Sequence, residues 1–410
     1  MKNTPVSTTR SQLFSVCLIV FIDLFGFGLV IPVLPFAAQK LGAGPAALGW
    51  LMAAYSLMQF LSSPLFGALS DRYGRRPILL ASSLGQSLAM AIMAVGVGAF
   101  FSPLTGLLLV FLGRALGGFS AASIGTAYAY IADISDERAR TKRMGLLGAA
   151  IGLGFTAGPG LGALAVRWGE AAPFVLAALM SLLNFALAWF RLPESLPIHE
   201  RHAQRPLEMR RLSLKGAWKA ITHASTGRWV AANFLFTLAI TQLESMFALF
   251  MGLRFHFTAS EMGAVIAGTG SLMIIVQGGC VGYLSKTLGD RKLASLAAVC
   301  ITIGFFLFSS AQALPIAFAA LAMLAFSRAC LQPTLSSLLT SQTSRSEHGR
   351  SLGEFQSAAS LARAIGPIAG GFLFHALPSA PFSVAGILTM GLTFLVFSAL
   401  RRPYTVSAEL

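Results

Sequence analysis

The chain has 410 residues, of which 55% are hydrophobic and only 11% are charged. Soluble proteins carry about 25% charged residues, so this composition excludes a soluble globular protein and indicates one that lies mostly in a lipid bilayer. The net charge of +15 would favour nucleic-acid binding only if the basic residues formed a soluble face. Most of them fall instead in the connections between apolar segments, and we expect no nucleic-acid partner.

Apolar stretches that are long enough to cross a bilayer recur along the whole chain. A membrane-spanning helix needs about 20 mostly apolar residues. The predicted spans, numbered 1 to 12, are 13–37, 47–69, 77–99, 103–132, 144–165, 172–191, 227–252, 261–284, 293–312, 315–341, 351–376 and 380–400. The sequence therefore predicts an all-α polytopic membrane protein with 12 transmembrane helices in two pseudo-symmetric six-helix bundles.

The longest polar segment predicts the domain boundaries. It covers residues 192–226 and separates an N-terminal bundle (1–191) from a C-terminal bundle (227–410). Lys and Arg concentrate in the cytoplasmic segments of membrane proteins, and with both termini in the cytoplasm most of them fall there. The exceptions are Lys40, Arg167 and Arg254 on the opposite side, and Arg114, Arg328 and Arg363 inside spans. We therefore predict a basic cytoplasmic linker and cytoplasmic termini. The membrane that we expect for this integral protein is a bacterial inner membrane.

Span 1 contains the segment "FIDLFGFGLVIPVLP" (21–35), which places one acid and two prolines in an apolar run. Proline cannot donate the main-chain hydrogen bond of a helix, so Pro32 and Pro35 are expected to bend the outer end of the span. Asp23 lies near the middle of it. This combination is unusual for a segment that only anchors a protein in lipid.

Two acids, Asp23 in span 1 and Glu244 in span 7, lie well inside spans. A charge in a span is costly and is by default functional. Because a low dielectric favours the neutral form of a carboxylic acid, both residues are candidates for proton coupling or substrate binding. A fixed ion pair with Arg114 or Arg363 is the alternative for Asp23.

The loop after span 2, "GALSDRYGRRP" (67–77), carries an ordered set of glycines and charges. Glycine permits a tight turn, and an arginine can donate two hydrogen bonds to one carboxylate. Asp133, at the cytoplasmic end of span 4, is the expected partner of Arg75. The loop contributes the candidate gating residues Gly67, Asp71, Gly74, Arg75 and Arg76.

Spans 4 and 5 carry two further patterns. Span 4 places Arg114 inside "LVFLGRALGGFSAA" (109–122). A charge inside a span is costly and is usually paired or functional, and a purely structural arginine is the alternative. In span 5 the glycines at 154, 158 and 162 are four residues apart and share one helix face, which permits close packing of two helices. The candidate gating residues of this region are Asp133, Gly154, Gly158, Pro159 and Gly162.

The two halves of the chain resemble each other. The loop at 67–77 is matched by "GYLSKTLGDRK" (282–292), Arg114 by Arg328, and "GPGLG" (158–162) by "GPIAG" (366–370). Transporters built from such repeats place the substrate site near the bilayer midplane, between the repeats. Residues of the spans that are candidates for a cavity wall, or alternatively for helix packing, are Tyr55, Gln59, Phe60, Phe119, Phe236, Gln242, Phe247, Gln277, Arg328 and Arg363.

These motifs resemble those of the major facilitator superfamily (MFS). The run 67–77 resembles its loop 2–3 signature, span 4 its RxxqGxgaA motif with Gly117 in place of the glutamine, and span 5 its exporter motif gxxxGPxxG. The segment from Asp23 to Pro35 resembles the first span of the tetracycline efflux group within the 12-span drug:proton antiporters. The resemblance implies that Asp71 holds the cytoplasmic side shut and that Arg114 takes part in proton transfer.

Two departures from the pattern concern the second half. Span 9 contains no acid, although tetracycline pumps are expected to carry one there, and Lys286 stands where the first half has Asp71. The resemblance therefore supports the transporter class more than a tetracycline substrate.

We expect a proton-coupled secondary active exporter of amphipathic or cationic small molecules that works by alternating access. An MFS facilitator, or a lipid or metabolite exporter without proton coupling, is the alternative. No nucleotide-binding, metal-ligating or hydrolase constellation appears in the sequence, so we expect neither a cofactor nor an enzyme. The expected partners are a small-molecule substrate, protons and membrane lipids, and the expected state is a monomer.

Overall fold

The computed structural model describes residues 6–98, 100–121, 123–135, 137–196, 227–342 and 348–400, and the regular structure of these residues is helical. The N-terminal helices are α1 (Val6–Val30), α2 (Leu34–Lys40), α3 (Pro45–Tyr73), α4 (Arg75–Val97), α5 (Pro103–Ser120), α6 (Ser123–Asp133), α7 (Glu137–Ala165) and α8 (Ala172–Arg191). The C-terminal helices are α9 (Gly227–Phe255), α10 (Ala259–Ile275), α11 (Val281–Leu288), α12 (Asp290–Ser309), α13 (Leu314–Thr340), α14 (His348–Ala376) and α15 (Ala380–Leu400). A 3₁₀ turn, Val166–Trp168, follows α7.

Among the described residues, 10 helical segments are long and apolar enough to cross a membrane. Helices α3 and α7 coincide with predicted spans 2 and 5 but are not among these segments. Each has 29 residues, roughly 43 Å at 1.5 Å per residue, so their length suffices. The all-helical membrane fold is confirmed, while the count of 12 spans stays a prediction.

Several predicted spans are interrupted. Helix α1 ends at Val30 and α2 begins at Leu34, so the helix is interrupted near the C-terminal end of span 1, where a bend was expected. Pro32 lies in the interruption and Pro35 in the first turn of α2. Span 4 is divided into α5 and α6 after the Gly117-Gly118 pair. Span 8 changes to a π-helical segment at Val276–Cys280 between α10 and α11, a feature that is often found at functional sites.

Contacts divide the chain into two compact units. The first contains the described parts of Met1–Ala43, Ala54–Leu212 and Thr258–Ala267. The second contains the described parts of Gly44–Ala53, Ser213–Phe257 and Gly268–Leu410. The division of the chain at 1–191, 192–226 and 227–410 stays a prediction, and most of the predicted linker lies outside the described residues.

Each unit has its own core. In the first, α1, α4, α6, α7 and α8 meet around fully buried residues that include Val16, Leu79, Ile131, Leu147 and Ala188. In the second, the rings of Phe250, Phe308 and Phe382 from α9, α12 and α15 lie 4.9–5.1 Å apart, centroid to centroid. Aromatic pairs at this distance stabilise a fold by about 0.5–1.5 kcal/mol beyond the burial of their area.

Large apolar side chains also cover the outer surfaces of the helices. Leu108, Phe190 and Phe394 are 60%, 83% and 72% exposed. Contiguous apolar surface of this kind is rare on soluble monomers, whereas it suits contact with lipid tails. The surface therefore agrees with the composition in placing these helices in a membrane.

Candidate functional site

The carboxylate of Asp23 lies at the meeting point of three helices in the first unit. Asp23 is 7% exposed near the middle of α1, and the side-chain nitrogen of Asn184 on α8 donates to its Oδ1 at 2.6 Å. The same nitrogen donates to the carbonyl of Ile19 at 2.9 Å and lies 3.4 Å from Oγ of Ser83 on α4. A neutral amide can donate to a carboxylate and to a carboxylic acid alike, so this contact suits both charge states of Asp23.

The guanidinium of Arg114 lies against two aromatic rings. Its central carbon is 4.7 Å from the centroid of the Tyr55 ring and 5.6 Å from that of Phe27. Such cation–π contacts contribute about 2 kcal/mol when they are desolvated, and Arg114 is only 5% exposed. Tyr55 interacts electrostatically with both Arg114 and Asp23. The structure thus brings together two predicted site residues and one predicted cavity residue.

A close crossing of α3 and α5 holds Tyr55 in this position. A Cβ atom added to Gly118 would lie 2.1 Å from the main-chain oxygen of Tyr55, far below any van der Waals contact. Gly118 belongs to the span-4 motif. The motif therefore places Arg114, one helical turn earlier, against the ring of Tyr55.

The span-5 glycines allow α7 to pack closely against α1. Added Cβ atoms at Gly158 and Gly162 would lie 2.6 Å from the carbonyl oxygen of Phe25 and 2.0 Å from that of Leu29. Pro159 lies inside α7, whose helix continues to Ala165. The expected close packing is confirmed, while a gating role for these residues stays a prediction.

At the predicted cytoplasmic end of the first unit, Arg75 connects α3, α4 and α6. Its Nε donates to Asp133 Oδ2 at 3.1 Å, and its Nη1 donates to Ser70 Oγ at 2.6 Å and to the carboxylate of Asp71. The expected contact between Arg75 and Asp133 is confirmed. Arg76, by contrast, donates to the carbonyl of Trp189 at 2.7 Å and lies over its ring.

Glu194, a residue that the sequence analysis did not single out, caps the N-terminus of α4. Its carboxylate accepts from the main-chain N–H groups of Arg75 at 2.8 Å and Arg76 at 3.3 Å. These groups have no partner within the helix, and a negative charge there is favourable. Gly74 makes the approach possible, because it has a φ of +106° and a Cβ added to it would lie 2.2 Å from Glu194 Oε2.

In the second unit, three charged residues lie at mid-helix positions. Glu244 is on α9, Arg328 on α13 and Arg363 on α14. Arg328 Nη2 lies 2.5 Å from Glu244 Oε1. Arg363 donates to Ser360 Oγ at 3.1 Å and interacts electrostatically with Glu244. Glu244, predicted as a proton or substrate site, is thus in an ion pair with one predicted cavity residue and near another.

The second copy of the loop motif is organised around an acid instead of an arginine. Asp290, at the position that corresponds to Arg75, accepts from Ser285 and from Ser337 Oγ, the latter at 2.5 Å. Compared with the first half, the second half therefore has Lys286 at the position of Asp71 and Asp290 at the position of Arg75.

The remaining cavity candidates fall into two groups. Phe236 and Gln242 are 2% and 1% exposed, and Phe247 is 8% exposed and packs on Phe308 at 5.8 Å, so these three contribute to the core of the second unit. Gln59, Phe60 and Phe119 are partly buried and Gln277 is exposed. Gln59 donates to the carbonyl of Ala121 at 3.3 Å, and Phe119 packs edge-on against Phe66 at 5.3 Å.

Sequence reasoning missed Asn184 and Ser83 as well as Glu194. Asn184 is fully buried, and its amide interrupts the apolar run of span 6. Ser83 belongs to a group of polar residues on α4 that also includes Ser82, Gln86 and Ser87. An isolated amide in one span and a polar stripe in another are the signals that would have found this part of the site.

This helical membrane protein contains a buried acid (Asp23), a buried arginine that contacts two aromatic rings (Arg114) and an ion pair at mid-span (Glu244 and Arg328). Such intramembrane charges are features of membrane transporters. The Major Facilitator Superfamily profile matches residues 16–343 and, in a second match, residues 278–410. The chain belongs to this family.

Its relatives are transporters rather than enzymes. The class C tetracycline resistance protein of Escherichia coli is 32% identical over 93% of this chain and 94% of its own length. Multidrug resistance protein 2 of Bacillus subtilis (strain 168) is 29% identical over 92% of each chain. The solved structure of the human organic anion transporter MFSD10 (TETRAN) covers 96% of this chain and 100% of its own, with a TM-score of 0.70 and 25% identity. The predicted resemblance to the tetracycline and multidrug efflux group is confirmed.

Proposed function

We propose that this transporter is a proton-coupled exporter of amphipathic small molecules that works by alternating access. The observation that carries the proposal is the buried carboxylate of Asp23 at mid-span, with the neutral amide of Asn184 as a donor at 2.6 Å. A proton carrier must be stable both charged and neutral inside the membrane. A donor that serves both forms meets this requirement, and intramembrane acids commonly form proton relays.

The surroundings of Asp23 support the same role. The guanidinium of Arg114 lies against the rings of Phe27 and Tyr55. Tyr55 interacts electrostatically with Arg114 and with Asp23. Intramembrane charges that lie close together commonly mark proton relays and substrate pathways.

The direction of transport is proposed from the relatives, which include tetracycline and multidrug resistance proteins. Resistance by a membrane transporter requires that the compound leave the cytoplasm. We place both termini in the cytoplasm, because most Lys and Arg then lie in cytoplasmic segments. We further propose that the protein is a monomer in a bacterial inner membrane, as an exporter related to bacterial resistance proteins would be.

The test uses purified protein in proteoliposomes with an imposed pH gradient. Tetracycline, ethidium and 2-naphthoate serve as probes, because they differ in charge while each carries an aromatic body. We expect uphill movement of at least one probe in the wild type, and its loss in Asp23→Asn. Glu170→Gln is the matched control, since Glu170 is an acid paired with Lys40 at an exposed helix end, and we expect it to retain coupled transport.

Coupled transport that persists in Asp23→Asn would contradict the role of this residue. Uphill movement in the wild type that survives dissipation of the gradient with an ionophore would contradict proton coupling and favour a facilitator or exporter of another kind. Absence of uphill movement of all probes would contradict drug export.

A further inference from the structure

The charges at mid-span in the second unit do not balance. Among the described residues of this unit, Glu244, Arg328 and Arg363 lie near the centres of α9, α13 and α14. The other acids described in the unit lie near helix ends: Asp290 at the start of α12 and Glu354 in the second turn of α14. Two guanidinium groups therefore share one carboxylate at this depth. An excess positive charge in a membrane interior is costly unless a further anion or water compensates it.

The ion pair lies on an accessible surface. The side chains of Glu244 and Arg328 are 40% and 34% exposed, whereas their neighbours Gln242, Ser245 and Ser327 are at most 2% exposed. Contact of two charged side chains with lipid tails is unfavourable. Exposed charges at mid-helix therefore line a space that water and a substrate can enter.

The pair is also easily displaced. An ion pair that is exposed to this extent contributes little to stability, because solvent competes for both partners. Arginine has five N–H donors, and Arg363 uses one on the neutral hydroxyl of Ser360, one helical turn away on α14. Both guanidinium groups therefore have N–H donors with which to bind a further anion beside the carboxylate of Glu244.

On the basis of the proposed transport function, we propose that Arg328 and Arg363 form the binding site for an anionic group of the substrate, with Glu244 as its internal competitor. The substrate class is a carboxylate, or another anion that arginine binds through two N–H groups, attached to an apolar body. A cation would meet two positive charges at this site and is disfavoured.

The test measures binding to the purified full-length protein in detergent by isothermal titration. Three probes share one ring system and differ in charge: 2-naphthoate, the neutral 2-naphthamide and the cationic 2-naphthylmethylammonium. We expect 2-naphthoate to bind more tightly than the other two. We also expect its affinity to fall about tenfold or more in Arg363→Gln and in Arg328→Gln, because a hydrogen-bonded charge pair is lost.

Glu244→Gln separates a competitor from a structural partner. If Glu244 competes with the substrate anion, the Glu244→Gln variant should bind 2-naphthoate several-fold more tightly than the wild type. If Glu244 only positions Arg328, the affinity falls. Arg254→Gln is the control for loss of a positive charge, since Arg254 lies near the C-terminal end of α9 and donates to the carbonyl of Ala311. This variant should bind 2-naphthoate with the affinity of the wild type.

The inference is overturned if 2-naphthoate does not bind, if the amide or the cation binds as tightly, if neither arginine variant weakens binding, or if Glu244→Gln weakens it. These outcomes are distinct from failure of the proposed export. If 2-naphthoate binds as expected but no probe moves uphill, the anion site is supported and proton-coupled export is contradicted. If transport depends on Asp23 but 2-naphthoate does not bind, only the anion site is contradicted.

Discussion

The close crossing of α1 and α7 leads to a prediction about Gly162→Ala. The added Cβ would lie 2.0 Å from the oxygen, 2.7 Å from the carbonyl carbon and 2.9 Å from the Cα of Leu29. These atoms belong to the main chain of α1, so no rotation of a side chain can relieve the contact. Ordinary contacts of carbon are about 3.5 Å. The two helices must therefore separate locally by about 1 Å or more.

The cost follows from this displacement. Overpacking of a well-packed interior costs about 1–3 kcal/mol, and Gly162→Ala should fall at the upper end because the obstructing atoms are main-chain atoms. A loss of about 2–3 kcal/mol corresponds to a decrease in melting temperature on the order of 5–10 °C for a unit of this size. The measurement is thermal unfolding of purified protein in detergent, followed by the intrinsic tryptophan fluorescence.

Gly125→Ala on α6 is the matched control, because an added Cβ at Gly125 has nothing within 4 Å. Alanine favours the helix over glycine by about 1 kcal/mol, so this variant should unfold at the wild-type temperature or slightly above. Equal melting temperatures for Gly162→Ala and Gly125→Ala would refute the packing role of the span-5 glycines.

Substitutions at three further positions test the polar contacts of the first unit. Arg75→Gln removes the charged partner of Asp133 and should lower the free energy of unfolding by about 3 kcal/mol. Arg75→Lys should also melt below the wild type, since lysine lacks the planar donor group of arginine. A wild-type melting temperature in Arg75→Lys would contradict this account. Glu194→Gln should cost about 1 kcal/mol as a weakened cap and speed hydrogen exchange at the first turn of α4; unchanged exchange there would show that the cap is dispensable. Asn184→Leu removes a buried donor from Asp23 and should reduce coupled transport while the protein remains in the membrane, and normal coupling would exclude Asn184 from the site.

The sequence predicts well those features that depend on composition and on local order. Apolar runs separated by basic loops define a helical membrane protein, because a lipid environment requires every main-chain group to be paired within a helix. The contact between Arg75 and Asp133 was predictable, since opposite charges at the same end of neighbouring spans have few other partners. The close packing of the span-5 glycines followed from their spacing.

Other features depend on how the helices are rotated and how closely they approach. Whether Asn184 faces Asp23 is determined by the packing of α8 on α1 and α4, which no local pattern in span 6 encodes. Phe236 and Phe247 were candidates for a cavity wall, but an aromatic residue at mid-span suits a core and a cavity equally. The break between α5 and α6 and the π-helical segment were not expected, because their residues are compatible with continuous helices.

The cap on α4 also has a consequence for biosynthesis. Glu194 follows Arg75 by 119 residues, so the carboxylate that completes the first turn of α4 leaves the ribosome only after all six predicted spans of the first half. Asn184 is separated from Asp23 by 161 residues and emerges at nearly the same time. The loop between α3 and α4 and the buried acid therefore gain their partners together, late in synthesis of the N-terminal half and before most of the C-terminal half exists. A ribosome paused shortly before residue 184 would carry a nascent chain that lacks both contacts.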